Sequence, residues 1–339
     1  MVYAAIRRLL FQLDPESAHE LAVEQMRRLQ SSPPLLRAIA AVCRPPSSAA
    51  RELLGLSFPS LVGIAAGFDK NAELVPMLTA LGFGFVEVGT VTLRPQPGNP
   101  RPRMFRYPAA RAIVNRMGFN NDGADAVAAR LRHWRDSSPA GAPPLFVNIG
   151  KNREVALDAA PRAYAECYAR LAPYADACVL NVSSPNTPSL RDLQRPEHLE
   201  SIVAAVRAAG PRRPLFVKIA PDVDDAALGA MTELCTRVTD GMICTNTTID
   251  HESGMNENGG VSGLPLRGKA TAVLRRVREL AGPSFPLIGV GGVFTAADVA
   301  EKLAAGADLV QVYTGFIYEG PLLARRLARA VLPAGSLER

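Results

Sequence analysis

The chain has 339 residues, 48% of them hydrophobic, and a formal net charge of +6 at pH 7. That length holds one barrel-sized domain of about 250 residues with an appended segment, while no apolar stretch reaches the roughly 20 residues a membrane span needs. The positive balance favours anionic partners, phosphate groups or acidic lipid, and the lack of a basic run interleaved with aromatics argues against nucleic acid.

In chain order, residues 1–30 read as two amphipathic helices. Ile6, Leu9, Leu10 and Leu13 fall at helical spacing, and Asp14-Pro15-Glu16 supplies an N-cap, a proline at N1 and an early acid for the second helix. Ala18, Ala22, Met26 and Leu29 share one face of that second helix. A third helical piece, 35–42, runs into Arg44-Pro45-Pro46-Ser47-Ser48, which reads as a linker. Residues 1–45 are therefore expected to be a helical segment, either packed on the rest as decoration or forming an apolar, membrane-facing lip. The Arg7–Arg8 start shows no secretory pattern, and Cys43, Cys167, Cys178, Cys235 and Cys244 show no metal-ligand spacing, so they read as reduced buried thiols.

Residues 46–339 change character. Eight short apolar runs follow: Leu61–Gly67, Phe85–Thr90, Leu145–Gly150, Ala177–Ser184, Leu215–Ala220, Met242–Asn246, Leu287–Gly292 and Leu309–Thr314. Continuous apolarity is the mark of a strand buried on both faces, as in a parallel sheet. Helix-length segments separate the runs, predicted over 71–81, 124–134, 161–171, 196–209, 224–238, 268–280, 295–305 and 321–331. The fold expected is α/β, a (β/α)8 TIM barrel with an N-terminal helical extension. Its active site would lie at the C-terminal strand ends, where Asp69, Lys70, Thr90, Asn148, Asn181, Ser184, Lys218, Thr245 and Asn246 fall. Two connections, 91–121 and 184–196, are long and rich in Pro, Asn, Gly and Arg, as binding loops or lids are. No internal repeat is sharp enough to use.

Three groups of residues carry chemistry. Gly289-Val290-Gly291-Gly292 and Tyr313-Thr314-Gly315 end the last two runs, where barrels commonly bind phosphate through backbone N–H groups. Lys218 is the lone charge in its run and suits either of two roles: a cation beside a flavin, or an amine forming a Schiff base. Asn115, Asn120, Asn148, Asn181, Asn186 and Asn246 are placed to converge on one mouth. A side-chain amide both donates and accepts, as a planar imide or amide ligand requires. None of His19, His133, His198 or His251 ends a strand and no carboxylate cluster occurs, which disfavours a metal site and a histidine-based triad.

The run Asn181-Val182-Ser183-Ser184-Pro185-Asn186-Thr187-Pro188 resembles the signature loop of the dihydroorotate dehydrogenases. So do Ala65-Ala66-Gly67-Phe68-Asp69-Lys70-Asn71, Asn115-Arg116-Met117-Gly118-Phe119-Asn120, Asn148-Ile149-Gly150-Lys151-Asn152 and Thr245-Asn246-Thr247-Thr248. The blocks stand in family order and the resemblance spans about residues 2–320. Serine rather than cysteine at Ser184, and the segment Leu10-Phe11-x-Leu13-Asp14-Pro15-Glu16-x-Ala18-His19, resemble the quinone-linked membrane class. Ser189 departs from the family's pattern, since many relatives carry glycine there, which bears on the mobility of its loop.

The resemblance implies one non-covalent FMN, held by Ala65, Ala66, Gly67, Asp69, Thr90, Asn148, Asn181, Lys218, Thr245, Gly263, Gly292, Tyr313 and Thr314. It implies dihydroorotate and orotate contacts from Lys70, Asn115, Arg116, Met117, Gly118, Phe119, Asn181, Asn186, Asn246 and Thr247, with Ser184 as the catalytic base. A membrane quinone would enter between the N-terminal helices near His19, Arg103 and Tyr313. The implied protein is a monomer, peripherally bound to the cytoplasmic face of a bacterial inner membrane, acting in pyrimidine biosynthesis and using no metal. The alternatives are a Schiff-base lyase or aldolase using Lys218 or Lys70, and a catalytically silent barrel serving as a membrane-associated scaffold.

Overall fold

A computed structural model of the chain describes residues 2–330. Three helices open it: α1 (Val2–Leu10), α2 (Pro15–Gln30) and α3 (Pro33–Cys43). Asp14 caps α2 as its sequence suggests, its Oδ1 accepting from the Glu16 and Ser17 N–H groups, both at 3.0 Å. A short hairpin, β1 (Arg51–Leu53) and β2 (Leu56–Phe58), then leads into β3 (Val62–Ile64), α4 (Val75–Ala80) and β4 (Val86–Val91). Helix α4 begins at Val75 rather than near Asn71, because Asp69 ties up the amides of Glu73 and Leu74 and holds the preceding loop open.

The connection after β4 is not a plain loop. It contains an antiparallel pair, β5 (Met104–Tyr107) and β6 (Ala112–Asn115), before α5 (Ala124–Ser137). The alternation continues with β7 (Leu145–Ile149), α6 (Ala160–Leu171), β8 (Ala177–Asn181), α7 (Pro196–Ala209), β9 (Leu215–Ile219), α8 (Asp225–Val238) and β10 (Gly241–Cys244). A third long excursion, missed in the sequence, follows β10. Its strand β11 (Gly260–Gly263) pairs with β6, so β5, β6 and β11 form a small sheet over the mouth. The chain closes with α9 (Arg267–Ala281), β12 (Leu287–Val290), α10 (Ala296–Ala304), β13 (Leu309–Val312), α11 (Thr314–Glu319) and α12 (Leu323–Ala330). Helix α11 was not foreseen, and Val331, the last residue of the predicted final helix, lies outside the described residues.

The eight parallel strands β3, β4, β7, β8, β9, β10, β12 and β13 close into a barrel in that order. Its floor is aromatic. Phe85, Phe146 and Phe216 pack ring to ring at 5.2 and 5.5 Å, and Phe58 from the β1–β2 hairpin plugs the end edge-on against Phe85 at 5.6 Å. A Cβ on Gly63 would lie 2.5 Å from the Phe85 ring, so glycine there leaves the room the ring fills. Apolar rings seal the bottom, and every polar strand-end side chain is left at the top.

Candidate functional site

Within the barrel, β4, β7, β9 and β13 send Glu87, Asn148, Lys218 and Gln311 inward as one buried polar layer above the phenylalanines. Glu87 organises it. One carboxylate oxygen accepts from Asn148 Nδ2 at 2.6 Å, and the other accepts from Gln311 Nε2 and lies 3.7 Å from Lys218 Nζ. A buried ammonium without a partner is costly, and this carboxylate is the partner the lone charge in β9 required. Gln311 Oε1 is left without a hydrogen-bond partner among the described residues and faces the mouth. Glu87 and Gln311 escaped the sequence reading, although each is a lone polar residue in an apolar run just as Lys218 is.

Above this layer the side chains join in a continuous chain. Thr90 Oγ1 donates to Asn148 Oδ1 at 2.6 Å and accepts from Asn181 Nδ2 at 2.8 Å. Asn246 Nδ2 donates to Ser183 Oγ at 3.0 Å, and Ser183 Oγ donates to Asn181 Oδ1 at 3.2 Å. Across the mouth, Asn186 Nδ2 donates to Asn115 Oδ1 at 3.3 Å, and the Asn186 amide donates to Ser184 Oγ at 3.2 Å. Asn115, Asn181, Asn186 and Asn246 therefore converge. Asn148 stands behind Thr90 and Asn181 rather than on the surface of the mouth, and Asn120 has a buried Oδ1 with no partner among the described residues.

The glycine-rich strand ends form a second feature. Gly291, Gly292 and Gly263 have φ values of +106°, +73° and +97°, and a Cβ on Gly292 would lie 2.3 Å from Arg267 Cβ. A Cβ on Gly315 would lie 2.0 Å from the Val293 carbonyl oxygen, so bare backbone lines this end of the cleft. Thr314 Oγ1 hydrogen-bonds Ser262 Oγ at 2.9 Å beside it. The orphaned Gln311 oxygen, the Lys218 cation and this cradle of bare backbone fit a flavin carrying a phosphate tail.

Of the residues expected at the cofactor, Ala65, Ala66, Gly67, Thr90, Asn181, Lys218, Thr245, Gly263, Gly292, Tyr313 and Thr314 line the cleft. So do Lys70, Asn115, Met117, Gly118, Phe119, Asn186, Asn246 and Thr247 from the substrate set, and Ser184, the expected base. Asp69 does not; buried, with its pKa pushed up to about 6 by desolvation, it braces the loop that carries Lys70. The Arg116 side chain also turns away, pairing with Glu257 at 2.8 Å and stacking on Phe105, and Arg116 does not line the cleft. Lys70 has its pKa lowered to about 8, mainly by burial, with Glu16 opposing that shift and Arg103 adding to it.

The three residues expected at a quinone part company. His19 lines a separate apolar cavity of about 870 Å³ between α1–α3 and the barrel, walled by Phe11, Ala22, Met26, Ile39 and Phe316 among others. Burial, then the Lys70 charge, hold its pKa down to about 3, so its imidazole is neutral. Tyr313 lines the polar cleft instead. Phe68 stands between them, edge-on to His19 at 5.3 Å and to Tyr313 at 6.3 Å. Arg103 lines neither space. Buried, it pairs with Glu16 of α2 at 2.7 Å and donates to the Pro97 and Asn99 carbonyls.

Comparison with known proteins gives the family. The family model described as Dihydroorotate dehydrogenase matches residues 48–333. A dihydroorotate dehydrogenase (quinone) from Acidovorax sp. (strain JS42) is 46% identical, covering 97% of each chain. Its namesake from Myxococcus xanthus is 49% identical, covering 94% of this chain and 90% of its own. The crystal structure of DHODH in complex with ferulenol from Eimeria tenella superposes with a TM-score of 0.87 at 36% identity, covering 96% of this chain and 94% of that one. A polar cleft and a separate apolar cavity beneath N-terminal helices, on a barrel with these relatives over nearly its full length, place the chain in the dihydroorotate dehydrogenase family, within its quinone-linked class.

Proposed function

We propose that the chain oxidises dihydroorotate to orotate and delivers the electrons to a membrane quinone through one non-covalently bound FMN. The observation that carries this reading is the meeting, in one barrel mouth, of four convergent asparagines, Lys70 and Ser184 with a bare-backbone cradle, next to an apolar cavity behind Phe68.

The family is flavin-dependent, and FMN is the flavin that a cradle for a single phosphate favours. Gly263, Gly292 and Thr314 would hold that phosphate, and Lys218 would set a positive charge near the ring, with Thr90 and Asn181 bordering it. When bound, FMN supplies the acceptor for the hydride leaving C6 of the substrate. Lys70 would pair with the substrate carboxylate. Asn115, Asn186 and Asn246 offer donors and acceptors to the imide edges, with Met117, Gly118, Phe119 and Thr247 shaping the pocket. Ser184, 6% exposed, takes the C5 proton as that hydride departs, and the Asn186 amide on its Oγ orients the hydroxyl. The β5–β6–β11 sheet would shield part of the mouth from bulk water during the step.

The Schiff-base alternative is not supported. Lys218 is buried with its Nζ 3.7 Å from the Glu87 carboxylate, so it is engaged in an ion pair rather than free to attack a carbonyl. Residues 1–45 would form the quinone entrance, with His19 and Tyr313 on either side of Phe68. Arg103, bound to Glu16, would act on that entrance only by fixing α2. The proposed enzyme is a monomer bound peripherally to the cytoplasmic face of a bacterial inner membrane; among the described residues no helix is long and apolar enough to cross a membrane.

The test is spectroscopic. Purified protein should carry FMN, and anaerobic dihydroorotate should bleach it. Ser184→Ala should keep the flavin while slowing bleaching by on the order of 10²–10⁴, the usual span for general acid–base contributions. Bleaching at the wild-type rate in Ser184→Ala would remove the serine from the reaction, and a chain that binds no flavin would end the proposal.

A further inference from the structure

We propose that Arg191 is a positioning residue for the proton-abstracting step, a three-pronged clamp that sets where Ser184 sits relative to the substrate. This rests on the dihydroorotate reading above and adds to it a group outside the cleft.

Arg191 lies on the connection after β8, seven residues beyond Ser184, with its side chain 21% exposed. Its guanidinium bonds a different loop with each nitrogen. Nε donates to the Ser183 carbonyl at 3.1 Å, Nη1 to Asp222 Oδ2 at 3.0 Å, and Nη2 to the Thr247 carbonyl at 3.1 Å. Those three acceptors belong to the connections after β8, β9 and β10. Ser183 adjoins the proposed base, and Thr247 adjoins Asn246, whose amide bonds Ser183 Oγ. One planar fork therefore fixes the spacing between the base and the facing side of the substrate pocket.

The fork is itself held. Asp222, 9% exposed, accepts from Arg191 and the Ile249 amide on Oδ2, and from Thr248 Oγ1 and Lys269 Nζ on Oδ1. Both carboxylate oxygens are used, and Lys269 adds a neutralising charge. On its other flank the Ser184 loop is pinned by Asn99, whose Nδ2 donates to the Arg116 and Asn186 carbonyls. Arg191 and Asn99 thus anchor opposite flanks of a loop that contains Ser189, a non-glycine residue at φ +53°. A lysine would keep the charge but cannot span three acceptors in one plane.

The test measures the two half-reactions separately in flavin-loaded protein, with Arg191→Gln and Arg191→Lys beside wild type. Dihydroorotate reduction of the flavin at saturating substrate should slow by about 10- to 100-fold in both, the scale of a sub-ångström misplacement of reacting groups. The substrate dissociation constant should stay within about threefold, since the clamp touches no substrate-contacting side chain. Reoxidation by a short-chain quinone should be unchanged. The isotope effect from deuterium at C5 should rise while that from C6 does not, because only proton removal is misaligned. Wild-type reduction rates in Arg191→Lys would overturn the proposal. So would equal losses in both half-reactions, unaltered isotope effects, or loss of flavin from both variants, each of which would make Arg191 a general support of the fold. Failure of wild-type protein to be reduced by dihydroorotate would instead sink the underlying reading.

Discussion

Lys70 is the residue at which burial and function pull against each other. Its ammonium sits where desolvation lowers its pKa to about 8, so near that pH a sizeable fraction of the empty site is uncharged. An anionic ligand favours the charged form, raising the pKa on binding and drawing in a proton. Orotate affinity should therefore be greatest below pH 8 and fall above it, by up to about tenfold per unit. Titration of the flavin absorbance with orotate from pH 6 to 9.5 measures this, and calorimetry in buffers of different ionisation enthalpy counts the protons. Lys70→Met should bind more weakly and lose the proton uptake. Affinity that stays flat from pH 7 to 9 in the wild type would take the carboxylate contact away from Lys70. The polar residues that sequence reading found share one signature, a charge or amide in or just after an apolar run. Glu87 and Gln311 carry the same signature, mid-strand as Lys218 is, but were passed over; only the closed barrel shows that both point inward, with Glu87 set between Gln311 and Lys218. Asp69 and Arg116 were assigned to the site by resemblance, and their side chains instead brace loops from behind.

At the scale of elements, the barrel contains a repeat that its sequence hides. The aspartate before β8, Asp176, accepts through Oδ2 from the first amide of β7, Leu145, and from Arg135 on α5, both at 2.7 Å. Asp240 does the same for Leu215 of β9 and Arg207 of α7, and Asp308 for Leu287 of β12 and Arg278 of α9. Each bracket ties a helix, the start of the next strand and the start of the strand after it. The bracketed positions are separated by 31, 25 and 21 residues in the three units, which erases any fixed period from the sequence. In the fourth unit the equivalent position is Gly84. A Cβ there would lie 1.7 Å from the Ser60 carbonyl oxygen, and Ser60 Oγ serves the Val62 amide instead. Asp240→Ala leaves a strand amide and a guanidinium without their acceptor, and hydrogen bonds to charged groups are worth about 1.5–3 kcal/mol. Since this pair is partly exposed, a loss of about 1–2 kcal/mol is expected by chemical denaturation, with an unchanged slope in denaturant and unchanged turnover per bound flavin. A shift under 0.5 kcal/mol would mean that the brackets do not hold the barrel together. All eight barrel strands were legible because their apolarity is continuous. Strands β5, β6 and β11 were not: all three are short and part-polar, β5 and β6 form a local hairpin, and β11 is defined only by pairing with β6 across more than a hundred residues.

Over the whole molecule, polarity divides the chain into two compartments that meet at one ring. The cleft at the barrel mouth is walled by amides, hydroxyls and bare backbone, and the cavity under α1–α3 is walled almost wholly by hydrocarbon, with a neutral His19 at its inner end. Phe68 separates the two. Ile6, Leu21, Leu29 and Val42, which line that cavity, are also exposed, as are Leu9 and Leu35 on the same helices, with Arg7, Arg8, Arg27 and Arg28 alongside. Apolar side chains flanked by arginines suit the interface of an anionic bilayer, where a lipid-soluble molecule is already concentrated. If electrons enter through the cleft and leave through the cavity, blocking the cavity must leave the first half-reaction intact. Ala22 on α2 faces that cavity without touching the cleft, and Ala22→Trp would obstruct it with a side chain that costs the helix little. Dihydroorotate should then reduce the flavin at the wild-type rate while reoxidation by a long-chain quinone falls at least about tenfold, as expected when an apolar ligand loses contacts worth about 1.4 kcal/mol or more. A small water-soluble acceptor, able to approach through the mouth, should still reoxidise the flavin. Equal slowing of both half-reactions would show that the helices only stabilise the barrel, and undiminished long-chain quinone turnover would show that the cavity is not the quinone's route.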